Sequence, residues 1–151
     1  MKFHQAVREG NIALVKKFIK EGLDLNVLDE NGYTLLDHAV WLNHLDIVKL
    51  LIASGADINN VDEDGGTVLY GATNVSIDMC KILVDGGVDL STVQKNGLTP
   101  LHLASFYGNP DIVGYLIELG MDVDAVDEDG MTPKLMAAEQ GHQDIVNKFF
   151  D

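Results

Sequence analysis

Between residues 96 and 104 the chain has the sequence Asn-Gly-Leu-Thr-Pro-Leu-His-Leu-Ala. The Asn-Gly pair is typical of tight turns, because both residues tolerate a left-handed backbone. Thr99 is a good helix N-cap, and Pro100 then occupies the first helical position, where a missing N–H has no cost. The stretch therefore predicts a turn followed at once by a short helix over Leu101–Tyr107, which ends near Gly108.

The same pattern occurs four times along the chain. Its turn pairs, at spacings of 33, 32 and 33 residues, are Asn31-Gly32, Asp64-Gly65, Asn96-Gly97 and Asp129-Gly130. A carboxylate that suits the start of a second helix recurs in phase, at Asp46, Asp78, Asp111 and Asp144. The shorter spacing reflects one residue missing between Ala72 and Asp78. Series that stay in phase over a whole chain predict a repeat architecture.

This unit resembles the ankyrin repeat. Residues 99–104 satisfy that family's Thr-Pro-Leu-His-x-Ala signature, and residues 50–59, Leu-Leu-Ile-Ala-Ser-Gly-Ala-Asp-Ile-Asn, come close to its second half. The resemblance implies an all-α fold, a solenoid of stacked helix-loop-helix units with β-hairpin-like connecting loops. It predicts a single domain over residues 1–151, built of a capping repeat (1–29), three repeats (30–62, 63–94 and 95–127) and a C-terminal capping repeat (128–151).

Some positions depart from the family pattern. Asp37, Tyr70 and Lys134 stand where the signature has His. One apolar position of the second helices is occupied by lysine in the first and last units, at Lys17 and Lys148. Lysine at a stacking position is typical of a terminal unit with a polar outer face. We therefore expect a complete array that is capped at both ends.

The chain of 151 residues is 46% hydrophobic and has a formal net charge of −14, from 10 basic and 24 acidic residues. Five of the bases lie in residues 1–20 beside one acid, so residues 21–151 carry 5 bases and 23 acids, a net charge of −18. This balance argues against binding nucleic acid or an anionic membrane. One cysteine, no signal peptide and only short apolar runs predict a cytoplasmic protein that does not span a membrane.

The chain offers no convincing active site. The resemblance implies structural hydrogen bonds for His4 and His102 and for His44 and His142, which are pairs at equivalent repeat positions. His38 is off the pattern and could face the groove of the array, while Cys80 replaces a buried valine. The acidic turns at Asp64 and Asp129 lack the later Glu of a calcium loop. We therefore expect no cofactor, no metal and no enzyme activity.

The resemblance places a partner on the concave face, formed by the hairpin tips and the exposed side of the first helices. Large aromatic residues there are the usual anchors of an interface. The predicted protein-binding residues are Glu30, Asn31, Tyr33, Trp41, Leu42, Glu63, Asp64, Asn74, Leu98, Phe106, Tyr107, Glu128, Asp129 and Met131.

These features predict a non-enzymatic protein-binding module that is monomeric when free. Its acidic surface favours a basic protein partner, which it would affect by occupying or inhibiting it. An immunity protein or antitoxin that neutralises a toxin enzyme is an alternative of the same kind. An adaptor remains open, as does a modification substrate, because Asn59 lies where asparagine hydroxylation is known in animal ankyrin repeats.

Overall fold

The structure, a computed structural model, describes residues 2–151. Ten helices follow one another in five pairs: α1 (Lys2–Arg8), α2 (Ile12–Lys20), α3 (Leu35–Trp41), α4 (Leu45–Ala53), α5 (Val68–Ala72), α6 (Ile77–Asp85), α7 (Pro100–Tyr107), α8 (Pro110–Glu118), α9 (Pro133–Glu139) and α10 (Gln143–Phe149). Within residues 2–151 no strand forms, and one isolated antiparallel bridge joins Val61 to Thr67. The predicted all-α fold is confirmed. None of these helices is long and apolar enough to cross a bilayer.

The helix pairs stack through their apolar faces. Each first helix packs on the first helices of the neighbouring pairs, and the second helices do the same. Equivalent leucines form the centre of these contacts, each at most 2% exposed: Leu36, Leu69 and Leu101 in the first helices, and Leu51, Leu83 and Leu116 in the second helices. Burying one such side chain contributes about 1.5–3 kcal/mol. The core is therefore a continuous layer that runs the length of the array.

Threonine begins the first helix of every pair but the first. The hydroxyls of Thr34, Thr99 and Thr132 accept the N–H of the residue three positions later, at 3.1, 3.4 and 3.2 Å. The predicted N-caps are confirmed at these three positions. Thr67 is also the residue before its helix, but its hydroxyl is buried and has no hydrogen-bond partner in the described chain. An unsatisfied buried hydroxyl of this kind costs about 1–3 kcal/mol.

The histidine of the family signature can make two hydrogen bonds, one to the N-cap of its own helix and one to the next helix pair. His102 makes both. Its Nδ1 accepts the Thr99 N–H at 3.1 Å, and its Nε2–H donates to the Met131 carbonyl of the next pair at 3.1 Å. Asp37 makes only the bond to the N-cap of its own helix, in which its carboxylate accepts the Thr34 N–H at 2.8 Å. It is too short to reach the next pair.

Tyr70 makes only the hydrogen bond to the next helix pair. Its hydroxyl lies 2.7 Å from the Thr92 carbonyl oxygen and 3.1 Å from that of Leu98, so it donates across to the next pair. The phenol ring has no acceptor for the N–H or the hydroxyl of Thr67, so the two bonds that Thr34 donates to Asp37 have no equivalent in this pair. Burial raises the pKa of Tyr70 to about 12, so the donor keeps its proton.

Left-handed residues end the first helices in four of the five pairs. Gly10, Asn43, Gly108 and Gly141 have φ between 57° and 80°, as the pattern predicts. The third pair differs, because one residue is missing there. Its first helix, α5, stops at Ala72, and residues 73–75 instead continue in tight i→i−3 turns. The first helix of this pair is therefore shorter than the first helices on either side of it.

The two ends of the array are unequal. Lys17 and Lys148 are exposed, as expected at terminal positions. The outer side of the first pair nevertheless carries an apolar hollow of about 450 Å³, whose lining includes Phe18, Leu23 and Val27. A lysine at one position is thus not enough to make the whole outer face polar.

We expect Leu51→Ala to lower the free energy of unfolding by about 2–5 kcal/mol, because it would leave a cavity in the centre of the stack. Leu51 is fully buried. Lys17→Ala is the matched control at a terminal position, where the side chain is 67% exposed and its ion pair with Glu21 is long, at 3.9 Å. Urea unfolding of both variants measures the difference. A larger loss for Lys17→Ala would show that the assignment of core and end positions is wrong.

Candidate functional site

The residues predicted to bind a partner lie at two kinds of place. The tips of the hairpin-like loops hold Glu30, Asn31, Tyr33, Glu63, Asp64, Leu98, Glu128, Asp129 and Met131, and the C-terminal ends of the first helices hold Trp41, Leu42, Asn74, Phe106 and Tyr107. All are exposed except Leu98 and Met131, which are half-buried. We call the surface formed by these two sets the groove.

Three of the four loop tips are built on an aspartate side chain, and the other tip has Gln94 at that position. One oxygen of Asp62 accepts the N–H groups of Asp64 and Gly66, and one oxygen of Asp127 accepts those of Asp129 and Met131, at 2.8–3.0 Å. Asp62 and Asp127 make the hydrogen bonds of these two turns, and the side chains of Glu63, Asp64, Glu128 and Asp129 stay exposed.

Backbone hydrogen bonds link three of the four tips. The Lys95 N–H donates to the Asp64 carbonyl and the Glu128 N–H to the Asn96 carbonyl, both at 2.8 Å. The equivalent bond from Glu63 to Asn31 does not form in the described chain. The acidic tips at Asp64 and Glu128 are therefore held on either side of Lys95 in one rigid row.

An aromatic cluster lies at the near end of the groove. The Tyr33 ring meets the Trp41 indole edge to face at 4.5 Å between centroids, and His38 packs edge to face on both rings at 6.1 and 5.8 Å. Tyr33 and Trp41 nevertheless remain 37% and 43% exposed. The cluster orients Trp41 without covering it.

An ion pair between the exposed Arg8 side chain and the buried Asp29 carboxylate lies beside this cluster. Arg8 Nη2 and His38 Nε2 both donate to the same oxygen of Asp29, at 2.7 and 2.8 Å. The Asp29 side chain is only 4% exposed, and its other oxygen accepts the N–H groups of Asn31 and Tyr33. Burial acts to raise the pKa of Asp29, but the hydrogen bonds from Tyr33, His38 and Asn31 outweigh it and hold that pKa well below its ordinary value.

A second aromatic pair lies further along the groove. Phe106 and Tyr107, at the end of α7, meet edge to face at 5.4 Å and are 41% and 42% exposed. Between this pair and Trp41 lie Gly71 and Asn74 of the third helix pair. The structure thus brings Trp41, Asn74 and Tyr107 around one open cavity of about 290 Å³. Leu42 belongs to neither aromatic cluster.

The other histidines join neighbouring helix pairs. His44 Nε2 donates to the Arg8 carbonyl at 3.3 Å and His142 Nε2 to the Phe106 carbonyl at 3.0 Å, while His4 Nε2 donates to the Tyr33 carbonyl at 3.3 Å. Burial lowers the pKa of His4 and of His102, so each is held as a neutral donor. The predicted structural roles of these histidines are confirmed.

The remaining chemistry is equally structural. Cys80 is fully buried, its thiol lies 3.5 Å from the Ala72 carbonyl, and burial raises its pKa to about 12. No group of His, Cys, Asp and Glu side chains in residues 2–151 is placed to hold a metal ion.

A protein-family model described as ankyrin repeats (3 copies) matches residues 3–93 and 70–151. The chain belongs to the ankyrin repeat family. Ankyrin repeats are in general protein–protein interaction modules and are typically non-enzymatic. No curated protein matches the chain.

The ankyrin loops also carry an exposed aliphatic row that the sequence analysis missed. One position, directly before each hairpin turn, is 50–57% exposed in all four loops, and it is occupied by Leu28, Val61, Val93 and Val126. The alignment of the repeats could have revealed this row, because it places an aliphatic residue at the same position of all four loops. It lies next to the acidic tips in the sequence.

Asn59 joins two ankyrin repeats. Its side-chain oxygen accepts the Asp89 N–H at 2.7 Å, and its Nδ2 donates to the Gly87 carbonyl at 3.4 Å. Asn26 makes the equivalent bond to the Asp57 N–H at 2.8 Å. The asparagine at this position therefore has a structural role in the array.

We expect Asp29→Asn to destabilise the ankyrin array at pH 7 by about 1–3 kcal/mol, because it removes the charge that holds Arg8 and His38. Asp62→Asn is the matched control, at the same place in the next turn but without an Arg or His partner. Thermal unfolding compares the two. A loss at Asp62→Asn as large as that at Asp29→Asn would mean that only the turn matters.

The same contact has a predictable pH dependence. The folded-state pKa of Asp29 is lowered, so its contribution to stability is complete above its unfolded-state pKa, about 4, and is lost as the pH falls further. The difference in unfolding free energy between wild type and Asp29→Asn should therefore narrow below about pH 4. A difference that stayed constant down to pH 2 would contradict this account.

We expect Trp41, the only tryptophan, to emit at long wavelength and to be quenched readily by acrylamide, because its side chain is 43% exposed. Fluorescence of the free protein measures both properties directly. An emission maximum typical of a buried indole would remove Trp41 from the groove surface. Tyr33 and Tyr107 would then remain as its main aromatic residues.

Proposed function

We propose that the protein binds another protein in the groove, that the contact surface of this partner is net basic, and that the protein acts by occupying or inhibiting it. The observation that carries the proposal is the combination of two exposed aromatic clusters with a row of acidic loop tips on one surface. Membership of the family supports protein binding in general, and the exposed side chains of this chain support a basic partner in particular.

The aromatic residues supply the affinity in this proposal. Each of four aromatic side chains leaves about two fifths of its surface in solvent: Tyr33, Trp41, Phe106 and Tyr107. Tryptophan and tyrosine are enriched among the residues that dominate binding energy. The edge-to-face contacts already fix both pairs of rings, so little side-chain entropy is lost when a partner covers them.

The acidic tips supply the selectivity. Exposed carboxylates stand at Glu30, Glu63, Asp64, Glu128 and Asp129 on a molecule of net charge −14. Rim charges of this kind speed the encounter with an oppositely charged partner and disfavour acidic ones. The exception is Lys95, which interrupts the row at the third tip.

The test is a kinetic comparison on a partner captured from the native host. Raising the salt concentration should slow association much more than it speeds dissociation, because exposed charges are screened. Replacing Glu63, Asp64, Glu128 and Asp129 by Ser should reproduce the high-salt association rate. Trp41→Ala should instead speed dissociation, at a cost of about 2 kcal/mol or more if it is a hot spot.

Lys95→Glu is the matched variant of opposite sign, because it completes the acidic row on the same rigid tips. It should speed association with a basic partner at low salt. Association that is independent of salt, or a slower rate for Lys95→Glu, would contradict a basic partner. Binding unaffected by all of these changes would place the interface outside the groove.

A further inference from the structure

The cavity between Trp41 and Tyr107 is a defined slot in the groove. Its lining residues are Trp41, Tyr70, Gly71, Asn74, Val75 and Tyr107, and its volume is about 290 Å³. The two exposed aromatic side chains come from different helix pairs, α3 and α7, and the small residues between them come from the pair that separates these two. We call this cavity the Trp41 slot.

The slot exists because of the residue missing from the third pair. Helix α5 has only five residues, whereas α3 has seven and α7 has eight. It ends at Ala72, before the level at which α3 presents Trp41 and α7 presents Tyr107. The chain continues through Asn74 and Val75, whose side chains are smaller than the aromatic residues on either side.

Gly71 is a second requirement of the slot. A Cβ atom at this position would lie 2.5 Å from Nε1 and 3.0 Å from Cδ1 of Trp41. Any other residue would therefore push the indole away from its present position. Gly71 has no left-handed backbone that would call for glycine on conformational grounds. Its lack of a side chain serves the close approach of Trp41.

The slot presents aromatic rings and polar groups to an occupant. The protein that carries it has a net charge of −14, which favours a cationic occupant. Trp41 and Tyr107 carry the negative ring faces that attract a cation, and Trp is the strongest of these partners. The Asn74 amide adds a hydrogen-bond acceptor at the same opening. Of the cationic side chains, the planar guanidinium of arginine stacks on aromatic rings and donates in the same plane, whereas an ammonium group is compact and more strongly hydrated.

We propose that the Trp41 slot receives an arginine side chain of the protein partner. This inference rests on the proposed function, since it assumes a basic partner in the groove. It goes further by naming the side chain and its place. The guanidinium lies against the aromatic rings of Trp41 and Tyr107, and Asn74 accepts one of its N–H groups.

The single tryptophan makes the slot observable without the partner. The probes are three capped tripeptides, acetyl-Gly-X-Gly-amide, in which X is arginine, lysine or citrulline. The indole N–H signal of Trp41 is followed by NMR on the full-length protein at low salt. We expect a saturable shift with the arginine peptide, half-complete at a concentration on the order of millimolar. The lysine peptide should bind several-fold more weakly, and the uncharged citrulline peptide should give no saturable shift.

Two variants remove the slot in different ways. Gly71→Ala should abolish the arginine response by displacing the indole, and Tyr107→Ala should weaken it about fivefold by removing one ring. Leu42→Ala is the matched control, because it removes a similarly exposed apolar side chain at the end of α3 that neither lines the slot nor belongs to an aromatic cluster. Circular dichroism establishes that each variant is folded. If Gly71→Ala fails to fold, Tyr107→Ala decides alone.

Equal shifts with arginine and citrulline would overturn the proposal, because the charge would then have no role. An arginine response that Tyr107→Ala leaves unchanged, or that Leu42→Ala weakens equally, would overturn it too, as would the absence of any saturable shift. The proposed function fails separately. The distinguishing result is a captured partner that associates at a salt-dependent rate and yet dissociates at the same rate from wild type and Tyr107→Ala. That result would support the proposed function and refute the slot.

Discussion

The whole structure depends on one constraint, which is that no helix pair can bury its apolar face alone. Leu51 and its equivalents Leu83 and Leu116 become fully buried only because a neighbouring pair lies against each of them. Stability is then a sum of unit and nearest-neighbour terms, as expected for a solenoid. The loop tips and the ends of the first helices stand outside these contacts. They are free to carry side chains that the fold does not require, and Trp41 and Tyr107 are such side chains.

The departures from the family pattern have local physical consequences. A histidine such as His102 closes its own N-cap and reaches the next repeat with its two ring nitrogens. Asp37 retains only the cap bond, and Tyr70 retains only the bond to the next repeat. Each substitution therefore gives up one of the two bonds, and the array remains folded because the leucine stack does not depend on either of them.

Much of this architecture could be predicted from sequence, because it rests on local rules. The threonine caps, the left-handed helix ends and the Asx-Gly turns each involve residues within a few positions of one another. The contact of Arg8 with Asp29 and His38 could not be predicted in this way, since it joins residues 21 and 30 positions apart whose side chains have no family role. The aliphatic row at Val93 and its equivalents needed only the repeat register and was nevertheless missed.

The Trp41 slot could not be predicted from the sequence alone. The missing residue was visible in the spacing, and so was a glycine at position 71. That the indole of Trp41 would lie over this particular glycine depends on the stacking of α3 against α5, which only the structure gives.

The junction of α3 with α5 also lacks three stabilising features found elsewhere in the described chain. Thr67 has no cap bond, the tip at Glu63 has no bond to Asn31, and α5 has no left-handed end. Binding surfaces are commonly drawn from the less stable parts of a fold. Local departures of this kind are expected where function competes with stability. The three losses and the slot thus all lie in or beside the third helix pair, which is shortened on its groove side, while its buried leucines, Leu69 and Leu83, keep their places in the stack.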